Sequence, residues 1–348
     1  MYESFYGLHG KPFQLNPDPQ FYFGSRGHNR ALAYLQYGLY QGEGFIVITG
    51  EIGAGKTTLV RSLIEQLDPA RFVAAQIVST QLDAGDLLRS VANAFGIPNK
   101  TREKAHLLAA IEAFLSSLAA SNKRALLLVD EAQNLTLRAI EELRMLSNFQ
   151  FGTQALLQSF LVGQPQLRRL MRRPEMEQLS QRVIASHHLG PIDRPETASY
   201  IEHRLKLVGW ADDPIFEEGA YDAIFAYSNG IPRQINTLTN RLLLAGCLAE
   251  KHELDADDVN AVVDEIREEA GGGSSGRRGA REEDGPDEFY TGEESNEYGG
   301  GNERAPAPAQ QLPADLDERL TRIEQAVTTL TETFNEFLNE LKAARMDL

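Results

Sequence analysis

Gly50-Glu51-Ile52-Gly53-Ala54-Gly55-Lys56-Thr57 is a full match to the spacing GxxxxGK[ST], and its flanks decide what it means. It follows Phe45-Ile46-Val47-Ile48-Thr49, an apolar, β-branched run that predicts a buried strand. It precedes Thr58-Leu59-Val60-Arg61-Ser62-Leu63-Ile64, which has helical spacing. Strand, glycine loop, helix is the context in which this pattern cradles phosphates. Glycines let backbone N–H groups turn inward, and the helix N-terminus adds partial positive charge. Gly50 to Thr58 are therefore the expected contacts of a nucleoside triphosphate, ATP. Lys56 should reach the β- and γ-phosphates, and the Thr57 hydroxyl should ligate Mg²⁺. The bland alternative, a glycine turn that holds no nucleotide, does not explain the flanking strand and helix.

Downstream, Arg124-Ala125-Leu126-Leu127-Leu128-Val129-Asp130-Glu131-Ala132-Gln133 places an apolar run before two acids, as a buried parallel strand would. Asp130, at the strand's end, is placed to hold the Mg²⁺ shell. Glu131 is the candidate base that orients the attacking water, which argues for hydrolysis rather than transfer. The alternative for the acid pair alone is a solvated strand end. Two more strands are predicted, at Phe72–Val78 and Ser159–Gln164, and a fifth at Ala185–Leu189. In P-loop ATPases with such an acid pair, a strand inserts between the loop strand and the acid strand, and its polar end residue senses the γ-phosphate; Gln164 ends such a strand, or is a turn residue before Pro165. His187 and His188 point to opposite faces of their strand, poor geometry for one metal. No other cluster has zinc spacing, so Mg²⁺ held with the nucleotide is the only metal expected.

Arg168, Arg169, Arg172 and Arg173 form i,i+4 pairs if they share a helix. A solvated face, a subunit interface, an anionic partner and a reach toward a neighbouring subunit's γ-phosphate compete as readings. Arg182 stands apart from them, just before the fifth strand. Beyond Pro191 the pattern turns helical: one helix opens at Arg194-Pro195, another follows Gly230-Ile231-Pro232, and a last one spans about 255–267. Arg233, at the start of a helix in this second unit, is either a sensor of the β/γ-phosphates or a surface arginine.

The chain has 348 residues, with 34 Lys+Arg against 50 Asp+Glu, a net charge of −16. That balance removes any general electrostatic case for nucleic acid. The single Cys247 forms no internal disulfide, and neither a spanning apolar run nor a secretory leader is evident, so a cytoplasmic location without direct membrane insertion is expected. Residues 1–268 carry a net charge of −6 and residues 269–348 a net charge of −10. The expected organisation is an α/β nucleotide-binding domain at 1–190, a helical lid at 191–268, a disordered acidic Gly/Pro-rich linker at 269–314, and an amphipathic helix at 315–345. In that helix Leu316, Leu320, Ile323, Val327, Leu330, Phe334, Phe337 and Leu341 keep an unbroken heptad spacing, the pattern of a coiled coil. It predicts self-association, docking to a partner helix, or folding back on the body.

Several stretches together resemble the ExeA-like ATPases, the general secretion pathway protein A group: Phe13 to Phe23, Ser25 to Leu32, the loop Gly50 to Thr57, Val129 to Gln133, Val162 to Leu167 and Gly230 to Arg233. The resemblance covers about residues 1–268. It implies an AAA+ core with a five-stranded parallel sheet and a C-terminal helical lid, with Gln164 as sensor 1, Arg233 as sensor 2 and Arg182 as the trans finger. It also implies assembly into a homo-oligomeric ring or partial ring, a hexamer being one closed form. Phe23 and His28 are candidates for bordering the adenine, or ordinary core and cap residues. Secretion-pathway members continue into a transmembrane helix and a peptidoglycan-binding domain, and this sequence shows neither. It is similar in that respect to the branch tied to exosortase and exopolysaccharide loci, and peripheral placement at the inner membrane through a secretion component is then implied. Two other classes stay open: an ATPase of DNA transposition or initiation type, and a nucleotide-switched scaffold with slow turnover.

Overall fold

A computed structural model describes residues 1–271, apart from residue 17 and residues 79–81 and 99–102. Five parallel strands form one sheet: Phe45–Gly50 (β1), Phe72–Val78 (β2), Arg124–Asp130 (β3), Leu157–Gly163 (β4) and Val183–Leu189 (β5), in the order β2-β3-β4-β1-β5. The three inner strands are the continuous apolar runs, buried throughout apart from Arg124. Strands covered on both faces need apolar residues at every position, whereas the edge strands β2 and β5 alternate. β4 and β5 each begin two residues earlier than their apolar runs suggest.

Successive side chains of a strand leave opposite faces, so each strand feeds two cores. Phe45, Val47, Leu127 and Leu161 lie in one, beneath Ala84–Ala94 (α3), Lys104–Ala120 (α4) and Leu137–Leu146 (α5). Ile46, Ile48, Leu126, Leu128 and Phe160 lie in the other, beneath Arg26–Gln41 (α1) and Lys56–Glu65 (α2). After β4 comes Pro165–Met171 (α6).

Four helices follow the sheet: Arg194–Lys206 (α7), Glu218–Ser228 (α8), Pro232–Leu248 (α9) and Ala256–Gly271 (α10). Ile201, Leu205, Ile224, Leu238, Leu242 and Val259 form their shared core. Chain order placed the N-terminus with the sheet, but Tyr2, Tyr6, Leu8 and Phe13 are buried in this helical core instead. The Tyr2 hydroxyl donates to Asn240 Oδ1 at 2.7 Å, and Tyr6 donates to the Lys251 carbonyl at 3.1 Å. The helical unit thus supplies both an apolar layer for the rings and acceptors for the two hydroxyls.

The arginine row also departs from expectation. α6 ends at Met171, and Arg173 is extended (φ −71°, ψ 146°). Pro174 disfavours helical geometry at the residue before it, so Arg173 cannot pair with Arg169 across a turn. The Gly/Glu/Pro-rich stretch and the heptad seam from Leu316 to Leu341 lie outside the described residues.

Candidate functional site

The sheet's register brings the motifs to one edge. Leu161 faces Val129 and Gly163 faces Thr49, so two steps further along β3 sets Glu131 level with Gly163 and Thr49. The loop after β1, the acids after β3 and Gln164 after β4 therefore emerge side by side.

The loop is a preformed anion cradle. Gly53 and Gly55 adopt left-handed φ values of 84° and 90°, where side chains are strained. No side chain caps the start of α2, leaving its first amides free for an anionic ligand. The Lys56 amine, 6% exposed, folds back across the loop to donate to the carbonyls of Gly50 (2.8 Å) and Glu51 (2.9 Å). Burial pushes this amine below its ordinary value of 10.5, opposed by the nearby charges of Glu131, Asp130 and Glu51. A buried cation whose direct hydrogen-bond partners are carbonyls fits a site completed by phosphate.

Thr57 donates from its hydroxyl to Asp130 Oδ2 at 2.9 Å, and Asp130 Oδ1 accepts the Glu131 N–H at 2.9 Å. Hydroxyl and carboxylate oxygens side by side are the hard donors that Mg²⁺ takes, with waters and phosphate oxygens filling the rest. Among the described residues no three His, Cys, Asp or Glu side chains converge as a metal site.

Glu131 is held by a network. Its φ is 52°, a conformation a non-glycine residue keeps only when its surroundings enforce it. Gln133 Nε2 donates to Glu131 Oε2 at 2.5 Å and Gln164 Nε2 donates to the same oxygen at 3.1 Å, while Gln133 Oε1 accepts the Gln164 N–H at 2.9 Å. One carboxylate oxygen is thus held by two side-chain amides. Gln133 belongs to this group although only its place in the acid stretch drew attention to it.

The helical unit reaches the loop through α9, where the Arg233 N–H donates to the Gly53 carbonyl at 3.2 Å and the Arg233 side chain borders the cleft. Phe21, Tyr22 and Phe23 also line the cleft. Arg204, 6% exposed, pins this segment by donating to the carbonyls of Pro12 (2.5 Å) and Gln14 (3.4 Å), with its guanidinium 4.6 Å from the Phe21 ring centroid. Arg204 had no local sequence cue. Phe23 and His28 both line the cleft, and His28, 5% exposed, also lies against the phosphate loop, its Nε2 3.1 Å from the Ala54 carbonyl oxygen.

Arg182 lies at the other end of the sheet, before β5. Its guanidinium donates to Ser147 Oγ (3.0 Å) and to the Ser147 carbonyl (3.4 Å), closing the C-terminus of α5. Arg168, Arg169, Arg172 and Arg173 are exposed.

Burial lowers the pKa values of His28, His187 and His203 below the ordinary 6.5. The folded chain then binds fewer protons than the unfolded one once pH falls through 6.5, so stability is full above that value and declines below it. The melting temperature is expected to drop as pH is taken from about 7.5 to about 5.5, with His28→Gln flattening the slope. A melting temperature that is constant or rises over this window would contradict the neutral, buried state of these rings.

Residues 39–171 match the family described as an AAA domain. Over 267 residues the chain is 38% identical to general secretion pathway protein A of Aeromonas hydrophila, covering 76% of this chain and 48% of that protein. The chain thus spans about half the length of the curated relative it matches. Among solved structures, the Aeropyrum pernix ORC2 protein in its ADPNP–ADP complexes aligns with a TM-score of 0.56 at 20% identity, over 73% of this chain and 71% of that one. CDC6P from Pyrobaculum aerophilum aligns with a TM-score of 0.54 at 17% identity, over 76% and 71%. At such identities the likeness is one of fold.

Proposed function

The chain belongs to the AAA+ ATPases related to general secretion pathway protein A, and from that premise we propose that it hydrolyses ATP with Mg²⁺ and couples turnover to self-assembly. The observation that carries this reading is the convergence of Lys56, the Thr57–Asp130 pair and the tethered Glu131 at one sheet edge. Lys56 and the free amides of α2 hold the phosphates, and Thr57 with Asp130 would hold the ion. When bound, the ion neutralises charge across the β- and γ-phosphates. Glu131 orients a water toward the γ-phosphorus and accepts its proton as the new P–O bond forms and the bond to the β,γ-bridging oxygen breaks, giving ADP and phosphate. Gln164 keeps Glu131 in place, and Arg233 covers the phosphates from the helical unit, which acts as a lid over the sheet domain.

Assembly enters through an arginine given by a neighbouring copy. Arg182 can serve only by leaving Ser147, and the exposed Arg168, Arg169, Arg172 and Arg173 are the competing donors. Specific activity is expected to rise with protein concentration, and arginine-to-alanine subunits mixed into the parent should depress it beyond dilution. A fully active monomer with a linear mixing curve would sink the coupling. In the cell we place the protein in a secretion or exopolysaccharide export system, recruited through the segment with heptad spacing at 315–345. No helix among the described residues is long and apolar enough to cross a membrane.

The four exposed arginines also favour a second reading, an ATPase that assembles on DNA as an initiation or transposition factor does. Binding to duplex DNA that Arg168→Glu and Arg172→Glu abolish would select it.

A further inference from the structure

Ser25 caps α1, its Oγ accepting the His28 N–H at 3.3 Å and lying 2.7 Å from His28 Nδ1. The other ring nitrogen, Nε2, lies 3.1 Å from the carbonyl oxygen of Ala54, inside the phosphate loop. A carbonyl only accepts, so Nε2 carries the proton; Nδ1 is then the acceptor and Ser25 the donor to it. All three groups are buried, and every donor in the chain is used: Ser25 O–H to Nδ1, Nε2–H to Ala54 O, and the His28 N–H to Ser25 Oγ. The neighbouring glycine fits this contact. A Cβ on Gly55 would lie 2.7 Å from His28 Nε2, so the last glycine before Lys56 is required by the ring as well as by its φ of 90°.

We infer that His28 is a positioning residue that aims the phosphate-binding amides of the loop. In a planar trans peptide the C=O and the following N–H point in opposite directions. Holding the Ala54 carbonyl against the ring therefore turns the Gly55 N–H away from it, to where a phosphate oxygen can be met. The same turn is tied to the helical unit: the Arg26 N–H donates to Glu196 Oε1 at 2.7 Å, and the Arg26 guanidinium pairs with Asp193. A shift of α7 would thus reach the loop through three residues of backbone.

This inference rests on the loop binding nucleotide, and its test separates the two. ADP affinity is measured on the full chain at about pH 8, with melting curves alongside, for the parent, His28→Gln, His28→Asn and His28→Leu. Gln carries an amide N–H at the reach of Nε2, Asn is polar but too short, and Leu has no donor. Affinity is expected to fall about tenfold for Leu and Asn, the scale of one buried hydrogen bond together with the disorder its loss admits, and to stay within about threefold for Gln. Amide exchange across residues 50–58 should quicken in Leu and Asn and not in Gln. Equal affinity in all four proteins, or equal loss in all three variants, overturns the positioning role; if Leu fails to fold, the Asn–Gln comparison decides. A parent that does not bind ADP would instead remove the nucleotide reading itself.

Discussion

Lys56→Ala is expected to lose measurable ATP and ADP binding, with affinity lowered by on the order of 10²–10³. The amine donates to the Gly50 and Glu51 carbonyls and is pushed toward its neutral form by burial despite the nearby acids Glu131, Asp130 and Glu51, so a bound phosphate would add a direct anionic partner. Charge-assisted hydrogen bonds contribute about 1.5–3 kcal/mol each, and two at the lower end of that range account for a loss of this size. Since the carbonyls left behind can take water, the variant should melt within a few degrees of the parent. Calorimetric titration with ADP checks the point. Affinity within about threefold of the parent would remove Lys56 from the phosphate site.

Glu131→Gln should behave in the opposite way, holding ATP while turnover falls by about 10²–10⁴, the usual contribution of a positioned base. The substitution is nearly silent in shape. Gln133 and Gln164 both donate to Glu131 Oε2, and the amide oxygen of a glutamine can sit at that position and accept both bonds. What disappears is the second carboxylate oxygen and its capacity to take a proton. Phosphate release measured beside nucleotide affinity separates these effects, and release at the parent rate would sink the assignment.

The parts of this site that were legible in the sequence are those whose chemistry is contiguous. Gly50 to Thr57 and Asp130-Glu131 carry their strand, loop and helix context beside them, and the apolar runs at 45–49 and 125–129 announce strands covered on both faces. Pairings across the chain left no such trace. Ser25 and His28 reach Ala54, and Arg204 reaches Pro12 over 192 positions, without any periodicity to mark them. Arg173 falls outside the helix for a local reason, the extended backbone that Pro174 imposes on the residue before it. For Arg182, chain position said nothing about Ser147, because the C-terminus of α5 comes alongside only when the sheet closes.

The burial of Tyr2, Tyr6 and Phe13 among helices made from residues 194–271 has a consequence during translation. Tyr2 meets Asn240, 238 positions later, and Arg204 meets Pro12. At about 5–20 residues per second, the ribosome leaves these aromatic side chains without their partners for roughly 10–50 s. The sheet can close around its own two cores in that interval, but the wall of the cleft built from Phe21 to Phe23 has no Arg204 to anchor it. These aromatic residues are therefore among the last to settle, and nascent chains expose an aromatic segment that chaperones are suited to shield.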